Sequence, residues 1–327
     1  MFHSRTRWAL ALLLVAAAFA TQAPAQDNDA LSPDSYRTEN VEPVTLRFNL
    51  KQGQAYKIYF ESDQTITQSA MGQQQKIDQV MGMGMRMTKT GTTDAGDHVV
   101  QVKYERVKID MAAMGMKIQY DSDKDEQGPT NPMARTFAAL VGTEFTAVLN
   151  DRGQVVEVRD IDKMIDKVVG ALDLPNPQAK AQARQAMKQQ FGEDNAASTL
   201  NQLAWTFPEN ALTIGESWTN TQKMAGPVPV AVESNSTLRG VTDERALLEI
   251  SSTVDVNQKD PNTGQQFDLE GKQQGMIAVD RSTGLPARGK MTQSFEGKVT
   301  IDAGGRSMTV PMTIESTSTI EGNPVND

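Results

Sequence analysis

The sequence predicts a mainly β protein of the α+β class: a strongly curved antiparallel sheet, or two related sheets, of long strands, with a central helical insertion packed on one face. Three observations carry this. Apolar residues alternate with polar ones in two blocks, 43–159 and 205–322; between them, over 160–204, they recur at helical spacing; and glycine-rich turn formers punctuate the strand blocks. The two blocks can be read as related halves of one domain spanning 43–322.

The chain opens on what reads as an export signal. Arg5 and Arg7 precede an apolar stretch, Trp8 to Ala20, too short to span a bilayer comfortably, and Ala23-Pro24-Ala25 is a small-residue cleavage site. Residues 1–25 are therefore expected to be removed, leaving a periplasmic or extracellular protein. Residues 26–42 are polar, contain Pro33 and lack a hydrophobic period, so a flexible lead-in is expected.

In the first block, Tyr56, Ile58 and Phe60 share one parity, and Ile77, Met81, Met83, Met85 and Met87 share another, opposite Gly82 and Gly84. Val100, Val102 and Tyr104 are even-numbered, whereas Val107, Ile109 and Met111 are odd. A β-bulge near Glu105-Arg106 accounts for the slip. Met114, Met116, Ile118 and Tyr120 form a further run after a bend at Ala112-Ala113, and the acidic stretch 121–132 reads as a solvated loop. Asn150-Asp151-Arg152-Gly153 suits a hairpin with positive φ at Gly153.

The period then lengthens. Ile161, Met164, Ile165, Val168, Val169 and Leu172 predict an amphipathic helix capped by Asp160. Asn176 and Pro177 are the cap and first residue of a second helix that stops at Gly192, and a third covers 196–204. Five strands follow as a meander, at about 228–239, 245–256, 266–279, 287–301 and 306–320, with turns at Asp260–Gly264, Ser282-Thr283-Gly284 and Gly304-Gly305. Gly53-Gln54-Ala55-Tyr56 and Gly215-Glu216-Ser217-Trp218 open the two blocks alike, a weak internal repeat.

Asp121-Ser122-Asp123, Asn131-Pro132-Met133-Ala134, Leu140-Val141-Gly142 and the run from Phe145 to Gly153 give the chain a resemblance to a family of exported bacterial proteins known only as a domain of unknown function. The likeness takes in Gly53 to Thr67 and Phe207 to Trp218. It implies export and a β-rich fold, and carries no catalytic or binding residue to transfer.

Composition excludes several chemistries. There is no cysteine, hence no disulfide, thiolate site or lipidated cysteine. The formal charge of −9 becomes two units more negative without Arg5 and Arg7, which disfavours nucleic acid as a partner. Of two histidines, His3 leaves with the signal and His98 stands at the start of a strand, read as exposed. Asp121-x-Asp123-x-Asp125 begins like a calcium loop but has Glu126 where glycine is needed and Pro132 in place of the closing glutamate. No cofactor or metal is expected.

The unusual feature is methionine, 17 in all. The plain reading of Met81, Met83, Met85 and Met87 is a core face, each buried thioether contributing ~1.5–3 kcal/mol. A second is an adaptable apolar surface: with Met116, these four are the candidate ligand-binding residues for a lipid or similar hydrophobic molecule, in the fold-level likeness of periplasmic lipid and lipoprotein carriers. A third is Cu(I) held by thioethers. The favoured expectation is a non-enzymatic exported protein binding a hydrophobic ligand. A structural or interaction protein of the envelope and a carboxylate-based hydrolase are the other readings.

Overall fold

The computed structural model describes residues 28–325, apart from 71–72, 114–115, 126–127, 130, 204, 225–229, 261–263 and 304–305. The signal-like segment, Met114, the Gly304-Gly305 turn and the tip of the Asp260–Gly264 turn lie outside the described residues. Among the described residues twelve strands run in chain order: β1 Ala55–Ala70, β2 Gln73–Thr92, β3 His98–Ala113, β4 Met116–Asp121, β5 Glu144–Leu149, β6 Val155–Arg159, β7 Ser217–Met224, β8 Val230–Val241, β9 Arg245–Lys259, β10 Gln266–Asp280, β11 Pro286–Ala303 and β12 Arg306–Val325. Among the described residues four α-helices interrupt them, α1 Pro132–Ala138, α2 Ile161–Ala171, α3 Pro177–Phe191 and α4 Glu193–Leu203.

The strands form a single antiparallel sheet in the order β6-β5-β3-β2-β1-β12-β11-β10-β9-β8-β7, with β4 beside the far end of β3. The two blocks seen in the sequence join where β1 pairs with β12 from Ala55↔Val325 to Gln68↔Met312. Between β2 and β3 the register shifts at Gly84/Met85, whose partners are Arg106 and Tyr104, so Glu105 is the extra residue. The bulge keeps Val107, Ile109 and Met111 on the face that Val100, Val102 and Tyr104 occupy.

That sheet is strongly curved, because α4 packs against both β6 and β7, the opposite ends of the strand order. The Val155 N–H of β6 donates to Asn201 Oδ1 of α4 at 2.9 Å. Just beyond α4, the Phe207 N–H donates to the Arg152 carbonyl (2.9 Å), while Trp218 Nε1 and Asn220 Nδ2 of β7 donate to the Thr206 carbonyl at 3.0 and 2.8 Å. One end of the curl is thus seamed by helix and loop. Helices α2 and α4 add Ile161, Met164, Ile165, Val168, Leu200 and Leu203 to the main core on the inner side of the sheet.

The two openings of the strand blocks share a turn. Gly53 and Gly215 both have positive φ, +77° and +86°. Gly53 N–H donates to Lys89 O and Gly215 N–H to Leu238 O, at 2.9 and 2.8 Å, and the Lys89 and Leu238 amides return bonds to Gln54 O and Glu216 O. Even the side chains correspond: Gln54 Oε1 accepts from Lys51 N–H and Glu216 Oε2 from Thr213 N–H, each at 2.9 Å. A register shift follows in both neighbouring strands, at Lys89/Gly91 and Leu238/Gly240.

Several local expectations change. Asp160 precedes α2 in a left-handed conformation (φ +67°) and caps no backbone amide; its carboxylate instead accepts from Lys163 Nζ at 2.6 Å, which holds it below the usual aspartate value. Asn176 does cap α3, accepting from the Ala179 N–H at 2.8 Å. Helix α1 and strand β7 have no counterpart in the sequence reading: α1 is seven residues, too short to display a period. From Asn28 on, the polar segment before Val44 lies docked. Tyr36 packs with Leu247 and Ala278 on the outer face, over Gly240, and Arg37 exchanges backbone hydrogen bonds with Val241.

Candidate functional site

Strand alternation sorts the sheet into two chemically opposite faces. Inward positions run through Ile58 to Gln68 in β1, Gln75 to Met87 in β2, Val232 to Leu238 in β8, Ala246 to Val256 in β9, Phe267 to Val279 in β10, Gly289 to Val299 in β11 and Val310 to Ile320 in β12, at every second residue. Among these described residues none is charged. The outer positions of the same strands carry Lys57, Glu61, Asp63, Arg86, Glu249, Asp255, Asp268, Lys272, Lys290, Lys298, Glu315 and Glu321. A membrane barrel needs the reverse, an apolar outward band.

The inner face is not uniformly apolar. Toward the helices lies the main core, and toward the other end of the long strands a second cluster: Ile66, Ile77, Val254, Phe267, Phe295 and Ile314 among others. There Phe295 lies across the bare backbone of Gly271, where a Cβ would collide with its ring. Between the two zones runs a transverse row. Gln79 is opposite Gln64, Gln64 opposite Ser316, Ser316 opposite Gln293, Gln293 opposite Gln273, Gln273 opposite Ser252, Ser252 opposite Ser234 and Ser234 opposite Asn220. Eight neighbouring strands each contribute one uncharged amide or hydroxyl.

Part of this row satisfies itself. Gln79 Nε2 donates to Gln64 Oε1, Ser316 Oγ to Gln293 Oε1 at 3.2 Å, and the Ser234 and Ser252 hydroxyls share a 2.7 Å bond. Two atoms are left over. Gln64 Nε2 and the neighbouring Ser318 Oγ are buried, in residues 1 % and 0 % exposed, without a hydrogen-bond partner.

The methionine ladder borders this row. Met81 and Met83 are half-buried and pack against the main core, beside Phe60, whereas Met85 and Met87 lie within it, 2 % and 0 % exposed. Met116 stands in β4 opposite Ala113; its side chain lies outside the described residues. The strand geometry therefore brings two of the five candidate methionines to the margin of the polar row. Missing from the sequence reading were Gln64, Gln79, Gln293, Ser316 and Ser318. Their inward parity was available, but their alignment across strands requires the register.

On the outer face Gly82 and Gly84 admit Tyr59, whose ring lies across them with the Arg106 guanidinium 4.5 Å from its centroid. Tyr59 donates to Glu61, which also receives Lys108 Nζ at 2.8 Å. Burial and the adjoining carboxylate push the Tyr59 hydroxyl far above the usual tyrosine value. Arg106 in turn pairs with Asp121 at 3.0 Å and Asp123 at 2.9 Å. The acidic turn is therefore not simply solvated: Asp121 is 8 % exposed and its charge is answered by Arg106, which, against the cost of burial, keeps its carboxyl below the usual range. The described residues contain no group of three or more histidine and carboxylate side chains poised to hold a metal.

His98, expected at the surface, is buried. It is 8 % exposed, edge-on to Phe48 at 5.1 Å between ring centroids, because the segment from Val44 to Leu50 covers the start of β3. Burial, then Lys89, lower its pKa from 6.5, against smaller opposing effects of Asp151, Asp97 and the Leu50 backbone. The unfolded chain therefore takes up a proton near pH 6.5 that the folded chain still refuses, so this residue costs stability as pH falls from 6.5 and contributes no pH dependence above it. Urea midpoints should decline from pH 7.5 to 5.5 in the parent and decline less in His98→Asn. Equal slopes would show that His98 is not the titrating group.

Comparison with known proteins adds a family and little else. The model of a family of unknown function, DUF6263, matches residues 95–286. No curated protein matches the chain. Among solved structures, lipovitellin, in a structure titled for its lipid–protein interactions, has 10 % identity and a TM-score of 0.45 over 84 % of this chain, which spans 25 % of the lipovitellin chain. An outer-membrane channel of Pseudomonas putida F1 has 8 % identity and a TM-score of 0.21, over 87 % of this chain and 100 % of the channel.

Proposed function

Because the chain belongs to DUF6263, a family whose function is unknown, we propose its role from the geometry alone: an exported, non-enzymatic protein that binds a lipid or similar apolar ligand on the inner face of its sheet. The observation that carries this is the absence of charge from the described inward positions of β1, β2 and β8 to β12, on a sheet whose outer face is densely charged. A sheet of 20-residue strands is about 65 Å long, and helices α1 to α4 pack only on the core at one end of it. Beyond the helices the inner face carries the second apolar cluster, whose side chains are themselves buried, an interior of the kind acyl chains pack into. Met81, Met83 and Phe60, half-buried and polarisable or aromatic, line the approach from the helix side. Export rests on the signal-like segment 1–25.

The test is binding. Protein purified from its native envelope should release lipid on solvent extraction, and the stripped protein should bind an apolar fluorescent dye that added lipid displaces. Met83→Lys sets an unpaired ammonium on the inner face and should weaken dye binding by about tenfold or more. Val156→Lys, at an exposed site, should leave it unchanged. A parent protein with neither extractable lipid nor displaceable dye is not a carrier.

A further inference from the structure

The row of amides and hydroxyls crosses the middle of an apolar face, where uninterrupted aliphatic side chains would be the more stabilising choice. Buried polar groups are tolerated when paired and costly when not, by about 1–3 kcal/mol each. Gln64 Nε2 and Ser318 Oγ are unpaired and almost wholly buried. They lie diagonally across the β1–β12 pair, since Gln64 is opposite Ser316 and Ser62 is opposite Ser318, a separation of about 7–8 Å between such positions. A donor and a hydroxyl at that spacing match the reach of one ester, amide or glycerol group.

We propose that this row recognises the uncharged, hydrogen-bonding centre of an amphiphile whose apolar arms extend both ways along the strands, with an ester-linked neutral glycerolipid as the chemical class. The proposal rests on the carrier reading and names its ligand. Gln64 Nε2 donates to an ester carbonyl, and Ser318 Oγ donates or accepts at the glycerol oxygen. One arm lies toward Met81, Met83 and Phe60 and the other toward Ile66, Ile77 and Phe295, zones about 20 Å apart along the strand. A phosphate or carboxylate at this position would be stripped of water with no cation to meet it, because the described inward positions of β1, β2 and β8 to β12 have none. The charge-free row therefore selects against anionic lipids while accepting neutral ones.

Displacement of the apolar dye from the full-length protein by three probes tests this: dioleoylglycerol, dioleoylphosphatidylglycerol and the hydrocarbon squalene. The parent should prefer dioleoylglycerol to each of the others by about tenfold, the discrimination one buried hydrogen bond provides. Gln64→Met, which keeps volume and removes the amide, should lose most of the preference for dioleoylglycerol over squalene. Should Gln64→Met fail to fold through the loss of the Gln79 partner, Ser318→Ala leaves no protein group unpaired and should reduce the preference in the same direction. Unchanged preference in both variants, or phosphatidylglycerol binding as tightly as the neutral lipid, overturns the assignment while leaving a carrier. A parent that takes up no dye overturns both.

Discussion

Replacing Leu200 by alanine should lower stability by about 3 kcal/mol, in the range of fully buried leucines that leave a cavity. Leu200 is 0 % exposed and belongs to the main core. Its helix, α4, touches both end strands of the sheet, so the cavity would open at the seam that holds the curl together. Equilibrium urea unfolding reads the loss as a lower midpoint. Truncation of Val156, an exposed apolar side chain on β6, should cost less than about 0.5 kcal/mol by the same measurement. Similar costs for the two would mean that α4 is not a structural wedge.

Gly82→Val should destabilise by about 2–3 kcal/mol, although valine suits strands and glycine does not. The gain from backbone entropy and β preference is at most about 1 kcal/mol. Against it stands a collision: a Cβ at position 82 falls inside contact distance of the Tyr59 hydroxyl, 3.0 Å from Cζ and 3.2 Å from Lys108 Cβ. Tyr59 cannot swing away without giving up the Arg106 stack and its bond to Glu61. Overpacking of this kind costs about 1–3 kcal/mol before those losses. In a Tyr59→Ala background most of the penalty should vanish, because the two tightest contacts are gone and only the one with Lys108 Cβ remains. Persistence of the full penalty in that double-mutant cycle would rule out the tyrosine as its cause.

The glycine pair illustrates how far the sequence could be read. Gly82 and Gly84 opposite the methionines mark a face where something comes close, and parity shows which face. What comes close is Tyr59 of the adjacent strand, packed on the outer side, and only pairing reveals that. The bulge at Glu105 was legible because it leaves a local trace, a change of parity between Tyr104 and Val107. The Asn176–Pro177 helix start was legible for the same reason. Asp160 looked equally like a cap, but the αL backbone turns its carboxylate toward Lys163, a choice made by how β6 enters α2. His98 looked exposed because the covering residue, Phe48, is 50 positions away.

By itself the sequence determined the β-rich class, the two strand blocks around a helical segment, and the face on which each strand residue lies, because these follow from a period of two or 3.6 residues along the chain. Tertiary structure alone decided that the two blocks form a single sheet, that α4 draws its ends together, and that Gln79, Gln64, Ser316, Gln293, Gln273, Ser252, Ser234 and Asn220 stand in line. Parity is a property of one strand. Register relates strands hundreds of residues apart and is fixed only when every strand has found its neighbour.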